Sequence, residues 1–143
     1  MNPIKYLKKN GIKHTIKVIY AYKIDIIIRE ILGVILRNRP LQDIIVIESH
    51  NDFDSNGGAF YNYLIKNKYN KNYKIVWAIK HPEAVPQRLP ENVDWYAIYK
   101  PGIKKNYYMW IAKYFTFDND CLAKLRDNQK AIYFGHGGFG LKN

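Results

Sequence analysis

The residues able to do chemistry fall in three polar stretches, each placed directly after an apolar run. The last of them frames a histidine with glycines: Gly135, Gly137, Gly138 and Gly140 surround His136, behind the run Ala131 to Phe134. Imidazole titrates near about 6.5, so it can take a proton from a hydroxyl at neutral pH. Glycines let the chain turn sharply and bring backbone N–H groups against a ligand. A histidine that only hydrogen-bonds to its own loop needs no such frame, which makes His136 the candidate general base. The second stretch, His50 to Gly58, holds Asn51, Asp54, Asn56 and Gly57; the third is the pair Asp118-Asn119. His50 serves equally well as a loop or capping residue. Gly57-Gly58, taken alone, reads first as close helix–strand packing and second as a backbone anion site. His14 and His81 look structural or solvated.

Other chemistries lack their residues. The sequence has no GxxxxGK[ST] loop, no GxSxG elbow and no GxGxxG opening a helix. Cys121 is the only cysteine, so no internal disulfide forms and a reducing compartment fits. The scattered histidines give no zinc spacing. Neither a metal nor a cofactor is expected. The thirteen tyrosines lie among apolar neighbours, which favours core packing over base stacking, and nucleic acid is not an expected partner.

For the three polar stretches to converge, the runs before them must be parallel strands whose carboxyl ends share one edge of a sheet. The β-branched run Asp43–Ser49 reads as a strand buried on both faces. Tyr73–Ile79, Val93–Ile98, Tyr114–Phe117 and Ala131–Phe134 follow, the last also expected to be buried. Helices are expected over Ala59–Lys66, capped by Ser55 or Asn56, and over Ile103–Lys113, with a short one at 121–127. Strands alternating with helical crossovers predict an α/β fold with a parallel, Rossmann-like sheet.

Ahead of this sheet, residues 3–37 read as helix interrupted at Gly11. Ile12, Ile16, Ile19, Ile27, Ile31 and Ile35 fall near one face, broadened by Val18, Ile24, Ile28 and Val34, with Lys13, Lys17 and Arg29 offset. The chain carries a formal charge of +11. Residues 1–39 hold nine Lys/Arg against Asp25 and Glu30, a balance of +7. The excess cation therefore sits mainly in this helical segment. A basic helix with a wide apolar face can lie in an anionic membrane interface, or can pack on its own domain. It cannot span a bilayer: its longest charge-free stretch, Ile31 to Leu36, is far short of ~20 residues. No signal peptide is evident, because lysines interrupt every early apolar run. Pro40 marks a boundary between a basic amphipathic segment, 1–39, and a domain, 40–143.

Taken in order, the motifs resemble a known family. Glu48-Ser-His-Asn-Asp-Phe-Asp-Ser-Asn-Gly-Gly58 leading to a tyrosine-rich helix, then Tyr73-Lys-Ile-Val-Trp77, Phe117-Asp-Asn119 and Tyr133-Phe-Gly-His-Gly137 are similar to the CDP-glycerol glycerophosphotransferases of teichoic-acid and related polysaccharide synthesis. The resemblance covers roughly residues 44–143. It departs at Gly138-Phe139-Gly140, where that family more often has Thr-Pro, and this departure bears on acceptor preference.

The resemblance implies a GT-B architecture of two Rossmann-like domains, of which this chain represents the first, acceptor-side one. It implies transfer of glycerol phosphate from CDP-glycerol to a hydroxyl of a lipid-linked teichoic-acid-like or polysaccharide acceptor, with release of CMP, at the cytoplasmic face of the cell membrane. His136 would be the general base. Asn51, Asp54, Asn56, Gly57, Asp118, Asn119, Gly137, Gly138 and Lys142 would bind substrate, while CDP-glycerol would be held mainly by the second domain. By itself the chain is then expected to be an inactive portion of the transferase. Two other readings stand beside this one: a portion of a GT-B nucleotide-sugar glycosyltransferase, and a non-catalytic module binding an acceptor at the membrane surface.

Overall fold

β-branched side chains are stiff at χ1 and pack well on a pleated surface, so a run of them settles as a buried strand. In the structure, a computed structural model describing residues 3–119 and 124–135, the run around Ile44–Ile47 is the central strand β1 (Gln42–Glu48). The other strands are β2 (Lys74–Ile79), β3 (Val93–Ala97), β4 (Ala112–Phe117) and β5 (Lys130–Tyr133). Among the described residues they form one all-parallel sheet in the order β3-β2-β1-β4-β5. The fold is α/β and Rossmann-like. The chain steps outward from β1 to β2 and β3, then returns to the other side of β1 as β4. That reversal opens a crevice beyond the carboxyl ends of β1 and β4, where open α/β sheets take their ligands.

Helices α1 (Pro3–Asn10) and α2 (Ile12–Leu36) meet at Gly11, whose φ of 79° is the left-handed region that suits glycine. Helix α3 (Ser55–Lys66) covers one face of the sheet, closing a core around Ile47, Trp77 and Leu64. Helix α4 (Ile103–Ile111) covers the other, closing a core around Val46, Phe115 and Trp110. The carboxyl half of α2 packs on α4. Leu32 and Leu36 join the second core, and Trp110 Nε1 donates to the Arg29 carbonyl at 2.8 Å. A Cβ on Gly33 would sit 2.5 Å from the Trp110 ring, so only glycine lets the helices come this close.

The buried Asp25 carboxylate ties the same two helices together. It accepts from Lys105 Nζ at 2.8 Å, Asn106 Nδ2 at 2.7 Å and Arg29 Nη2 at 3.2 Å. Burial by itself would raise its pKa, but the bonds to Lys105 and Asn106 outweigh that and hold the carboxyl below its usual range.

Several expectations need correction. The six regularly spaced isoleucines share a face, as expected, and all six are 49–67% exposed; Val18, expected to broaden that face, lies instead on the opposite side, where α2 packs through Asp25, Arg29, Leu32, Gly33 and Leu36. Helix α3 starts at Ser55 rather than Ala59, with Asp54 in the cap position. Helix α4 ends at Ile111 and passes into β4 at Ala112 without a loop. Strand β5 is exposed along its length, not buried, because among the described residues it is the sheet edge and pairs with β4 alone. Residues 124–127, the described part of the expected short helix, form bends and a turn. The Gln129 side chain causes this: its Oε1 accepts the Leu125 and Arg126 N–H groups at 2.9 Å, while Nε2 donates to Met109 and Ala112 carbonyls.

Candidate functional site

The carboxyl ends of β1, β2, β4 and β5 meet at one edge, and two fully buried carboxylates organise it. Glu48 ends β1 in a place where an unpaired charge would cost several kcal/mol. Its Oε1 takes a salt bridge from Lys80 Nζ at 2.7 Å, and its Oε2 accepts the N–H groups of Asp118 at 3.2 Å and Asn119 at 3.1 Å. Lys80, just past β2, also donates to the Ser49 carbonyl at 2.9 Å. Asp52 accepts the Lys80 and His81 N–H groups at 3.1 and 2.8 Å, fixing the second loop over the end of β2. Glu48 thus clamps three strand ends to one another.

Asp118, at the end of β4, is the second hub. One carboxylate oxygen accepts the His50 N–H. The other accepts the Gly57 N–H at 3.2 Å and lies 3.1 Å from Ser49 Oγ. The positive end of α3 is therefore neutralised internally by a carboxylate of this chain. This arrangement explains Gly57: a Cβ there would meet Ser49 Cβ at 2.8 Å and the Glu48 carbonyl at 3.0 Å. Gly58 is equally confined, its would-be Cβ 2.6 Å from the Phe53 carbonyl oxygen. Close helix–strand packing holds at Gly57 and lets its N–H reach Asp118, whereas Gly58 packs on the loop at Phe53.

Around this clamp lies an exposed polar rim. His50 Nδ1 is 3.1 Å from Asn119 Oδ1. With the proton on Nδ1, the imidazole donates to the Asn119 amide oxygen. Asn56 Nδ2 donates to the Gly135 carbonyl at 2.6 Å, joining the start of α3 to the end of β5. Asn51 and Asp54 are exposed on the same loop, where the Asp54 N–H donates to the Asn51 carbonyl at 3.0 Å. Phe53 and Ser55 both have φ near 60°, so this loop is held in a conformation that non-glycine residues seldom adopt. Among the described residues, no three His, Cys, Asp or Glu side chains gather as metal ligands.

The structure therefore brings Asn51, Asp54, Asn56, Gly57, Asp118 and Asn119 to one edge, with different parts to play. Asn51, Asn56 and Asn119 face the crevice rim, whereas Gly57 and Asp118 build the floor. His136, Gly137, Gly138 and Lys142 lie outside the described residues, the first of them next in sequence after Gly135. Sequence reasoning missed Lys80 and Asp52. The signal for Lys80 was Glu48 itself: a carboxylate ending a fully buried run needs a cation, and the parallel register pairing Glu48 with Ala78 puts Lys80 at its side.

No protein-family model and no curated protein matches the chain. Solved structures do. A histidine-to-alanine variant of the wall teichoic acid polymerase TagF is similar over 85% of this chain, at 19% identity and a TM-score of 0.62. A histidine-to-asparagine variant of the same polymerase, soaked with CDPG, gives 18% identity over 85% of this chain and a TM-score of 0.63. A further TagF structure gives 17% over 83%, with a TM-score of 0.56. The chain spans only 30–32% of the length of these structures. At such identities the likeness establishes the fold, and the Rossmann-like sheet is common to both.

Proposed function

We propose that this chain is the acceptor-side, N-terminal portion of a glycerophosphotransferase. It would work with a donor-binding domain to move glycerol phosphate from CDP-glycerol to a hydroxyl of a membrane-linked teichoic-acid-like or polysaccharide acceptor. The observation carrying the proposal is the ordered set of four motifs, three of which end strands at a single sheet edge, in a chain whose fold is similar to that of a teichoic acid polymerase. The CDPG soak of that polymerase supports a cytidine-diphosphate-linked donor.

In this reaction the acceptor oxygen attacks the β-phosphorus of CDP-glycerol as its proton passes to His136 Nε2 or Nδ1. The bond from that phosphorus to the bridging oxygen breaks, and CMP leaves with the electron pair. Most of the work is positioning and stabilisation of negative oxygens. Gly137 and Gly138 N–H groups and Lys142 are proposed to supply donors, and Asn51, Asn56 and Asn119 to orient the acceptor at the rim. The buried clamp of Glu48, Lys80 and Asp118 supports this reading by holding three strand ends in fixed register, as a precise site requires.

The isoleucine stripe on α2 supports a peripheral place on an anionic membrane; the cytoplasmic face is part of the proposal and follows from the transferase reading, not from the stripe. Ile12 to Ile35 spans about 35 Å of helix, and the exposed stripe lies on the side facing away from α4. Among the described residues no helix is long and apolar enough to cross a membrane.

The test is a donor panel. The 143 residues carried on a longer polypeptide with a donor-binding domain are given acceptor together with CDP-glycerol or with nucleotide sugars. CMP release from CDP-glycerol alone is expected; turnover of nucleotide sugars instead would replace the proposal with a glycosyltransferase.

A further inference from the structure

One cavity lies away from the crevice. A groove of about 940 Å³ opens between the amino half of α2 and the loop joining β3 to α4. This is within the range of small-molecule sites. Val18 and Ala21 of α2 face Ile98 and Pro101 of the loop, giving largely apolar walls. Lys17 and Lys100 stand on opposite sides of the opening, and Tyr22 and Tyr99 flank it, 66% and 69% exposed.

The electrostatics of the groove are lopsided. Four lysine or arginine side chains line it against one carboxylate, Asp25. That carboxylate is already engaged by Lys105, Arg29 and Asn106. Among the described residues no ion pair involves Lys17 or Lys100. Two cations on an apolar slot favour a ligand with one anionic end and one apolar body.

A bilayer surface does not fit this position. At 3.6 residues per turn, Val18 and Arg29 lie on the side of α2 opposite Ile16, Ile27 and Ile31, and Lys17 and Ala21 lie on its flank, turned toward the loop. A membrane meeting the isoleucine stripe leaves the groove outside it. The fitting occupant is a single molecule, not a lipid surface.

We propose that the groove between α2 and the β3–α4 loop binds one phosphate-bearing amphiphile, its phosphate between Lys17 and Lys100 and its chain along Val18, Ala21, Ile98 and Pro101. The loop follows the carboxyl end of β3, so the groove shares a sheet edge with the candidate active site, two strands away from β1. This inference rests on the groove alone and does not require the transferase reading.

The experiment titrates the purified chain with octyl phosphate, below its micelle concentration, and follows amide shifts by NMR. Inorganic phosphate and octyl glucoside are titrated in parallel. Octyl phosphate is expected to shift residues 17–22 and 98–101, and to bind at least tenfold more tightly than either control. The charge-reversing pair Lys17→Glu/Lys100→Glu, and separately Ala21→Trp, which fills the slot, should each weaken binding tenfold or more. Thermal melts near wild type keep these variants interpretable, since Lys17 and Lys100 are exposed. The inference is overturned if inorganic phosphate binds as well, which marks a bare anion site, or if octyl glucoside does, which marks unselective apolar binding. It is equally overturned if the variants bind octyl phosphate unchanged. Neither result bears on CMP release, so this test and the donor panel fail independently.

Discussion

At the scale of single residues, the structure turns on carboxylates placed where water is absent. Glu48 and Asp118 are fully buried, and each is paid for with named donors. Lys80→Met removes the cation from Glu48 and leaves its charge buried. A loss of about 3–5 kcal/mol is expected on removing one partner of a buried pair, measured by denaturant unfolding; a loss under 1 kcal/mol would mean the pair is not what holds the edge. Asp25 gives a prediction in pH. Its folded pKa is depressed, so its contribution is present above the unfolded carboxyl pKa of about 3.9 and fades as pH falls through the folded value. Asp25→Asn should therefore be less stable than wild type at pH 7, with the gap closing below about pH 4. A gap of the same size at pH 3 would mean the carboxylate charge is not its source. Part of this was legible in sequence: Asp118 and Asn119 mark the end of β4 by type alone. Lys80 was not, because pairing between sequence-distant residues appears only once strand register is known.

At the scale of elements, strands β1 to β3 and helices α1 and α2 lie where hydrophobic pattern and turn residues put them. The misreadings share one cause: tertiary contact overrides pattern. The packing face of α2 is made of an aspartate, an arginine and a glycine beside two leucines, and no hydrophobic periodicity marks such a face. The strong isoleucine period marks the exposed side instead. Ser55 to Gly58 are poor helix formers, yet the bond from Gly57 to Asp118 and close packing on Ser49 draw them into α3. β5 reads as buried because its residues are apolar, but its place at the edge leaves Ile132 and Tyr133 about half exposed. The stripe itself is testable. Deleting residues 1–39 would strip α4 of its cover at Trp110, so point changes serve better. Ile16→Ser, Ile27→Ser and Ile31→Ser together should reduce sedimentation with anionic vesicles at least tenfold, since each buried isoleucine contributes on the order of 1.5–3 kcal/mol at full burial. Unchanged sedimentation with an unchanged melt would remove the stripe from membrane binding.

At the scale of the whole molecule, the sheet order places one crevice between β1 and β4, and the polar strand ends face it. The fold class was legible because parallel strands with helical crossovers leave so few topologies. Among the described residues, the edge strand β5 and the isoleucine stripe of α2 are both exposed. The most direct test of the transferase account is CMP release from CDP-glycerol, with saturating acceptor, by the chain joined to a donor-binding domain. His136→Ala should lower kcat by about 10²–10⁴-fold, the range for a positioned acid–base group, with little change in donor KM and an unchanged melt. His50→Ala should lose less. The 143 residues alone should release no CMP. Near-wild-type turnover by His136→Ala, or histidine-dependent CMP release by the isolated chain, would contradict the account.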